Sequence, residues 1–267
     1  RLAPDPARPK CLGMSRSVCL NSDIGELPGE SGRALDRAIL DVVSRCSIAC
    51  GGHAGDDESM RATLKAAKAR NVVAGAHPSY PDKANFGRTS MALLPDELDA
   101  TLRQHVRNLT SLARQAGVTI DHLKPHGALY NDAAGSPDLA RAIVRTAREH
   151  RIRAIIGPPG SALQQQAELA GLDFLSEGFA DRRYNPDGTL VSRTAPDAML
   201  CAIDDQIAQV IRMIELGTVE ARDGTTISLQ VDTICLHGDT GGAVQSALAL
   251  RDALQAKGIE IRAQLAA

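Results

Sequence analysis

"HLKPHGALYN", residues 122–131, packs two of the chain's seven histidines, a lysine, a proline, a glycine and one of its three tyrosines directly behind the apolar-leaning Val118-Thr119-Ile120. With a side-chain period of two, Ile120, His122 and Lys124 share one face of a strand and Leu123 takes the other. A face covered by helices is apolar, so His122 and Lys124 are predicted to point inward, into the mouth of a closed sheet. Pro125 ends the strand, and Gly127 turns the chain so that His126 also faces the mouth. A lysine in that position needs a carboxylate or other anion beside it, because an unpaired buried ammonium is costly.

The same arrangement recurs along the chain. Short apolar runs predict strands at Ser17–Asn21, Arg45–Cys50, Val72–Ala76, Ile120–Lys124, Arg153–Gly157, Asp173–Glu177 and Thr233–His237, with an eighth at Ile259–Arg262. Between them lie amphipathic stretches: Ala34–Ser44, Glu58–Arg70, Pro95–Ala116, Pro137–Arg148, Ser161–Ala170, Pro196–Leu216 and Gly242–Lys257. Proline near helix starts and glycine past their ends punctuate several of these, as at Pro95 with Gly117, and Ser136 supplies an N-cap before Pro137. Seven or eight β-then-α units imply a parallel sheet, and that number within one domain favours a closed (β/α) barrel over an open doubly wound sheet. No GxGxxG or GxxxxGK[ST] loop is present, which removes the commonest open-sheet nucleotide binders. Residues 1–16 read as a Pro-rich, loosely packed tail without an apolar signal-peptide core, and 17–267 as the barrel.

Composition agrees. The chain has 267 residues, within the usual size of such a barrel, and is 43% hydrophobic, chiefly Ala, Leu, Ile and Val. A net charge of −2 with interspersed signs and no basic stripe argues against a nucleic-acid partner. No apolar run approaches the roughly 20 residues that span a bilayer. The six cysteines form no CxxC pair and read mostly as free, strand-packed thiols, which predicts a reduced, cytoplasmic setting.

In barrels of this class the active site forms at the C-terminal ends of the strands. There the polar residues gather: Asn21, Asp23 and Glu26 after the first strand, His53 and Asp56 after the second, His77, Tyr80 and Asp82 after the third. Lys124, His126 and Tyr130 follow the fourth, Glu177, Asp181, Arg182 and Tyr184 the sixth, and His237 and Asp239 the seventh. Five of the six aromatic residues also fall in these segments, as suits rings placed around a small-molecule cleft rather than in the core. His105 and His150 sit in helical patterns and read as ordinary packed or solvated residues.

"LNSDIGE", "IACGGHAGD", "GAHPSYPD…NFGR", "HLKPHGALYN", "EGFADRRY…DGTLVSR" and "CLHGD" occur in this order across residues 17–262, and together they resemble the LamB/YcsF family of 5-oxoprolinase A subunits. The resemblance implies a deacetylase-like, seven-stranded β/α barrel. It also implies ATP-dependent opening of the lactam 5-oxoproline (pyroglutamate) to L-glutamate, with companion subunits B and C and with Mg2+ accompanying ATP. Asp23, His53, His77, Lys124 and His126 are then the expected catalytic set. Asn21, Glu26, Tyr80, Tyr130, Asp181, Arg182, His237 and Asp239 are expected to contact the substrate. Four positions depart from the pattern: Cys19 stands where the family carries Asp, Gly52 for Phe, Asp57 for Pro and Thr89 for the second Arg of "FGRR".

Lactam hydrolysis by this route needs cations around a transferred phosphoryl group (Lys124, Arg182), a base for water and an acid for the leaving nitrogen, for which Asp23 and the histidines are candidates. A rival reading is a metal-dependent amide or N-acetyl hydrolase, with Asp23, His53 and His77 as an Asp-His-His set for a divalent ion. The paired His-x3-His of deacetylase barrels is absent. A third reading, a non-enzymatic protein that binds a small molecule, fits less well with so many titratable residues at the mouth.

Overall fold

The computed structural model describes residues 17–238 and 242–263, so the expected tail and Asp239 fall outside it. The chain runs β1 (Ser17–Ile24), α1 (Gly29–Leu40), β2 (Arg45–Ala49), α2 (Asp57–Ala69), β3 (Val73–His77), α3 (Pro95–Ala116) and β4 (Ile120–Leu123). It continues through α4 (Gly127–Gly135), α5 (Pro137–Glu149), β5 (Ala154–Gly157), α6 (Ala162–Leu169), β6 (Asp173–Phe179) and α7 (Ile203–Leu216). A small hairpin, β7 (Thr218–Glu220) with β8 (Thr226–Ser228), precedes β9 (Thr233–Cys235), α8 (Ala243–Ala256) and β10 (Glu260–Ile261).

Strands β1 to β6 pair in parallel in chain order, β6 pairs with β9, and β9 returns to β1 with Cys19 opposite Thr233 and Asn21 opposite Cys235. This closes the expected seven-stranded barrel. The eighth expected strand, β10, lies outside the ring beside the start of β1, with Ser17 opposite Glu260.

Side-chain parity explains why the fold is readable in the sequence. On β1, Leu20 and Ile24 face the helices with Ile39, Ile48, Leu64, Leu102, Leu109 and Ile143 in one continuous apolar layer. Full burial of each such side chain is worth roughly 1.5–3 kcal/mol. The opposite parity is polar: the Asn21 amide donates to Thr233 Oγ1 at 2.8 Å, and Ser47, His122 and Lys124 are likewise buried inside the ring.

The lower end of the barrel is closed by Arg45, whose guanidinium pairs with Asp121 and donates to the Ala263 carbonyl at 2.9 Å. His122 lies against Arg45 (3.4 Å) and Ser47 (3.3 Å), in this lower layer. It therefore points into the barrel as its parity requires, but below the mouth at which it was expected. Gly75 makes room for it, since a Cβ there would lie 2.2 Å from His122 Nε2. Cys19 shares the inward parity of Asn21, is fully buried and lies 3.6 Å from Ser44 Oγ.

Helix ends follow the expected punctuation. Asp56 accepts from Ser59 N in a capping box before α2, Ser136 caps α5 ahead of Pro137, and Gly117 and Gly217 take left-handed conformations at φ 63° and 64°. Three elements differ from the sequence reading. Helix α7 begins at Ile203 rather than Pro196, because residues 198–200 pair with 181–183 through Leu200 N to Asp181 O (2.8 Å) and Arg183 N to Ala198 O (3.0 Å). Helix α4 was not anticipated: its Ala/Leu-rich sequence has little amphipathic contrast. The β7–β8 hairpin also escaped, its strands being only three residues each. Among the described cysteines, Cys19, Cys46, Cys50 and Cys235 are free and buried, and Cys201 is free and exposed. No helix among the described residues is long and apolar enough to cross a membrane.

Candidate functional site

The site is built upward from Lys124, immediately after β4. Its parity sends the side chain inside the ring, where it is 2% exposed. Its Nζ lies 2.8 Å from Glu177 Oε1, 3.0 Å from Asp23 Oδ1, 3.3 Å from Asn21 Oδ1 and 3.2 Å from Cys235 Sγ. The partners demanded by a buried ammonium are therefore two carboxylates, one from β1 and one from β6. Burial alone would lower the lysine's pKa, but Asp23, Cys235 and Glu177 raise it well above its ordinary value.

Asp23 turns its other oxygen to His77 Nε2 at 3.3 Å. Burial would raise the Asp23 pKa, yet the charges of His77 and Lys124 hold it well below the usual carboxylate range. His77 is fixed by its own strand end: Nδ1 donates to the Lys124 carbonyl at 2.8 Å. Its Nε2 faces His126 Nδ1 at 2.9 Å, and His126 Nε2 donates in turn to the Phe86 carbonyl at 2.9 Å. The left-handed Gly127 (φ 57°) aims His126 in this way, and its α-carbon packs so closely on Gly87 that a Cβ would meet Gly87 O at 2.5 Å. His53 stacks on His126 with ring centroids 3.6 Å apart, and its Nε2 lies 2.8 Å from Glu26 Oε1. Burial and the neighbouring His77 push the pKa values of both His53 and His126 down.

A second cluster borders the first. His237 Nδ1 donates to Asp181 at 2.8 Å, and Arg193 donates to His237 Nε2 at 2.7 Å. The His237 ring stacks on Phe179 at 5.6 Å, and Phe179 meets Tyr130 edge-on at 5.9 Å. Burial and Glu177 raise the Tyr130 pKa well above its ordinary value.

Of the expected residues, Asn21, Asp23, Glu26, His53, His77, Lys124, His126, Tyr130, Asp181 and His237 thus form one chain of contacts at the C-terminal mouth. Two are turned elsewhere. The Tyr80 hydroxyl donates to Asp132 on α4 at 3.0 Å, and Arg182 donates to the Val191 carbonyl, with burial and Arg193 lowering its pKa to about 10. The trio expected to accept a metal ion lies together at the mouth, with Asp23 Oδ2 3.3 Å from His77 Nε2 and the His53 and His77 ring centroids 5.4 Å apart. Asp23 is drawn to Lys124, and the donor atoms that gather within 4.8 Å are those of Glu26, His53, His77 and His126. A smaller set, Asp23, Cys235 and His237, lies alongside.

Glu177, placed at the sixth strand end without a role, and Cys235, Phe86 and Arg193, which were given none, also belong to the network. For the first two a signal existed: Glu177 shares the inward parity of Phe179, and Cys235 that of Thr233. Phe86 and Arg193 come from loops, whose course no periodicity encodes.

Buried carboxylates, an ammonium held between two of them and imidazoles of fixed orientation form a preorganised, water-poor set of charges. That set can hold an anionic or carbonyl-bearing small molecule and move protons to and from it.

Comparison with known proteins agrees with this architecture. The chain is 45% identical over 251 residues to a 5-oxoprolinase A subunit of Methylococcus capsulatus, covering 94% of this chain and 96% of that one. It is 44% identical over 248 residues to a 5-oxoprolinase A subunit of Chloroflexus aggregans, covering 92% and 98%. Among solved structures, a lactam utilization protein from Thermus thermophilus superposes with a TM-score of 0.85 at 35% identity, over 93% of this chain and 100% of that one. With the LamB/YcsF family profile matching residues 18–267, from the first barrel strand onward, the chain belongs to the LamB/YcsF family.

Proposed function

We propose that this chain is the lactam-opening component of an ATP-dependent 5-oxoprolinase, serving as its A component beside companion subunits B and C. The observation that carries the reading is Lys124 held between Asp23 and Glu177 beside the His53–His77–His126 cluster. Relatives that carry the name of the 5-oxoprolinase A component, and a lactam utilization protein of the same fold, point to the substrate class. An unstrained lactam resists hydrolysis, and coupling to ATP activates the amide oxygen as a phosphate ester before water attacks the ring carbon. The C–N bond then breaks as the nitrogen takes up a proton, and a second water hydrolyses the acyl phosphate left on the ring carbon to the carboxylate and free phosphate.

In this scheme the Lys124 ammonium faces the negative charge that develops on oxygen and phosphoryl group. Asp23, kept ionised by His77 and Lys124, accepts the proton of the attacking water and returns it to the leaving nitrogen. The Asp181–His237–Arg193 cluster and the Tyr130–Phe179 pair wall the adjoining volume and orient the ring. No phosphate-binding loop occurs in the sequence, so ATP is handled with the help of a companion subunit.

The test is glutamate and ADP release from 5-oxoproline, with the purified chain alone and with both companions, with and without ATP and Mg2+. The expected result is ATP-dependent glutamate only when all three proteins are present. No glutamate from the three together would overturn the substrate assignment, and full turnover by the single chain would overturn the need for partners. ATP-independent release of acetate from N-acetylated sugars would favour the amide-hydrolase alternative.

A further inference from the structure

We infer that Glu26, His77 and His126 form a binding site for one divalent transition-metal ion, with His53 orienting the Glu26 carboxylate by donating to its Oε1. Three observations point to it, none of which depends on the lactam chemistry proposed above.

The first is separation. Bonds of about 2.1 Å at tetrahedral angles place neighbouring donor atoms about 3.4 Å apart. The three donors here are separated by 2.9 Å (His77 Nε2 to His126 Nδ1), 3.3 Å (His126 Nδ1 to Glu26 Oε1) and 3.8 Å (His77 Nε2 to Glu26 Oε1), values that bracket that spacing. Two imidazoles and one carboxylate make an open set with a position left for water or substrate, the pattern of catalytic rather than structural sites.

The second is orientation. Metal-binding histidines hold their far ring nitrogen on a carbonyl or carboxylate, which fixes the tautomer and directs the free lone pair at the ion. Both imidazoles do this: His77 Nδ1 on the Lys124 carbonyl and His126 Nε2 on the Phe86 carbonyl, at 2.8 and 2.9 Å. Their remaining lone pairs are thereby turned on each other and on Glu26, a repulsive arrangement that either a shared proton or a cation relieves. His53 Nε2, 2.8 Å from Glu26 Oε1, is placed to donate to that carboxylate, while its buried Nδ1 has no hydrogen-bond partner among the described residues.

The third is charge. The Glu26 side chain is only 9% exposed among these rings, and Asp23 Oδ2 follows at 3.3 Å from His77 Nε2, so the set presents carboxylate oxygens in a low-dielectric interior. A divalent cation is drawn to such oxygens more strongly there than in water. An ion there supplies Lewis acidity at the mouth, next to Asp23.

The experiment uses the full chain carrying Cys201→Ser, which removes the one exposed thiol among the described residues. Protein stripped with chelator is titrated with Zn2+ by calorimetry and with Co2+ by visible absorption, and the rise in melting temperature is followed in parallel. The expected result is one equivalent bound, at least ~100-fold weaker binding in Glu26→Gln and in His126→Gln, and 10–100-fold weaker binding in His53→Gln, the usual range for an orienting neighbour. Circular dichroism of each stripped variant confirms that it is folded. Absence of stoichiometric Zn2+ and Co2+ binding by the parent protein overturns the site. So does unchanged affinity in folded Glu26→Gln, which keeps size and shape and is the least disruptive of the three. Because the readouts are affinity, spectrum and melting temperature, a failed 5-oxoprolinase assay leaves this result standing, and the reverse also holds.

Discussion

Replacing Lys124 with methionine separates the lysine's two roles, and the structure gives the size of the structural one. At an effective dielectric near 20, charges 2.8 Å and 3.0 Å apart, as Lys124 is from Glu177 and Asp23, attract by about 6 and about 5.5 kcal/mol. Desolvation offsets much of this, and removing one partner of a buried pair costs about 3–5 kcal/mol because the other charge is left uncompensated. Lys124→Met is therefore expected to lose activity and also about 3–5 kcal/mol of stability at pH 7.5, read as a fall in the urea midpoint. The sign of the pH dependence follows from Asp23, whose folded pKa lies below its unfolded value. Its contribution is present above the unfolded value near 3.8 and is lost as pH falls through the folded value, so the variant's deficit narrows in acid. Adding Glu177→Gln removes one of the stranded charges and should recover part of the loss. A Lys124→Met protein as stable as the parent at pH 7.5, or a double variant less stable than the single one, would refute the ion-pair reasoning.

Three further outcomes are expected. Burial, with help from Glu26 and against a hydrogen bond from Gly25 N, raises the Asp36 pKa from 3.8 to about 6. Stability is thus lost as pH rises from 3.8 to about 6, and Asp36→Asn should gain about 1–2 kcal/mol at pH 8 and almost nothing at pH 4 in thermal melts, once partial exposure is discounted. Gly75→Ala places a methyl 2.2 Å from the His122 ring and should cost about 3 kcal/mol, with a double-mutant cycle showing recovery when His122→Ala is added. At Gly52, where the family resemblance implies phenylalanine, a Cβ would lie 2.7 Å from His105 Cε1 and 2.3 Å from Ser79 Oγ. Gly52→Phe should therefore lower the melting temperature, and His105→Ala in the same chain should restore part of it; equal melting of parent and Gly52→Phe would remove His105 as the occupant of that space.

Much of this protein was legible from one dimension because its signals are local. Strand parity separated Leu123 from Ile120, His122 and Lys124, and the punctuation at Ser136, Pro137 and Gly117 marked helix ends whose chemistry is complete within a few residues. Seven such strands with helices between them leave few ways to bury their outer faces other than closure. What escaped was set by contacts distant in sequence. Pairing of residues 198–200 with 181–183 overrode a helix that Pro196 would otherwise begin, and the arginine at 45 claimed the lower barrel, leaving His122 beneath the mouth. The carboxylate contacts have the same origin: Lys124, 101 residues from Asp23 in sequence, holds the Asp23 carboxylate, while Glu26 lies against His53 and His126. Residue type and strand position thus follow from the chain itself. Which carboxylate faces which cation is decided only when the ring closes, because electrostatic energy depends on separations that the folded barrel alone defines.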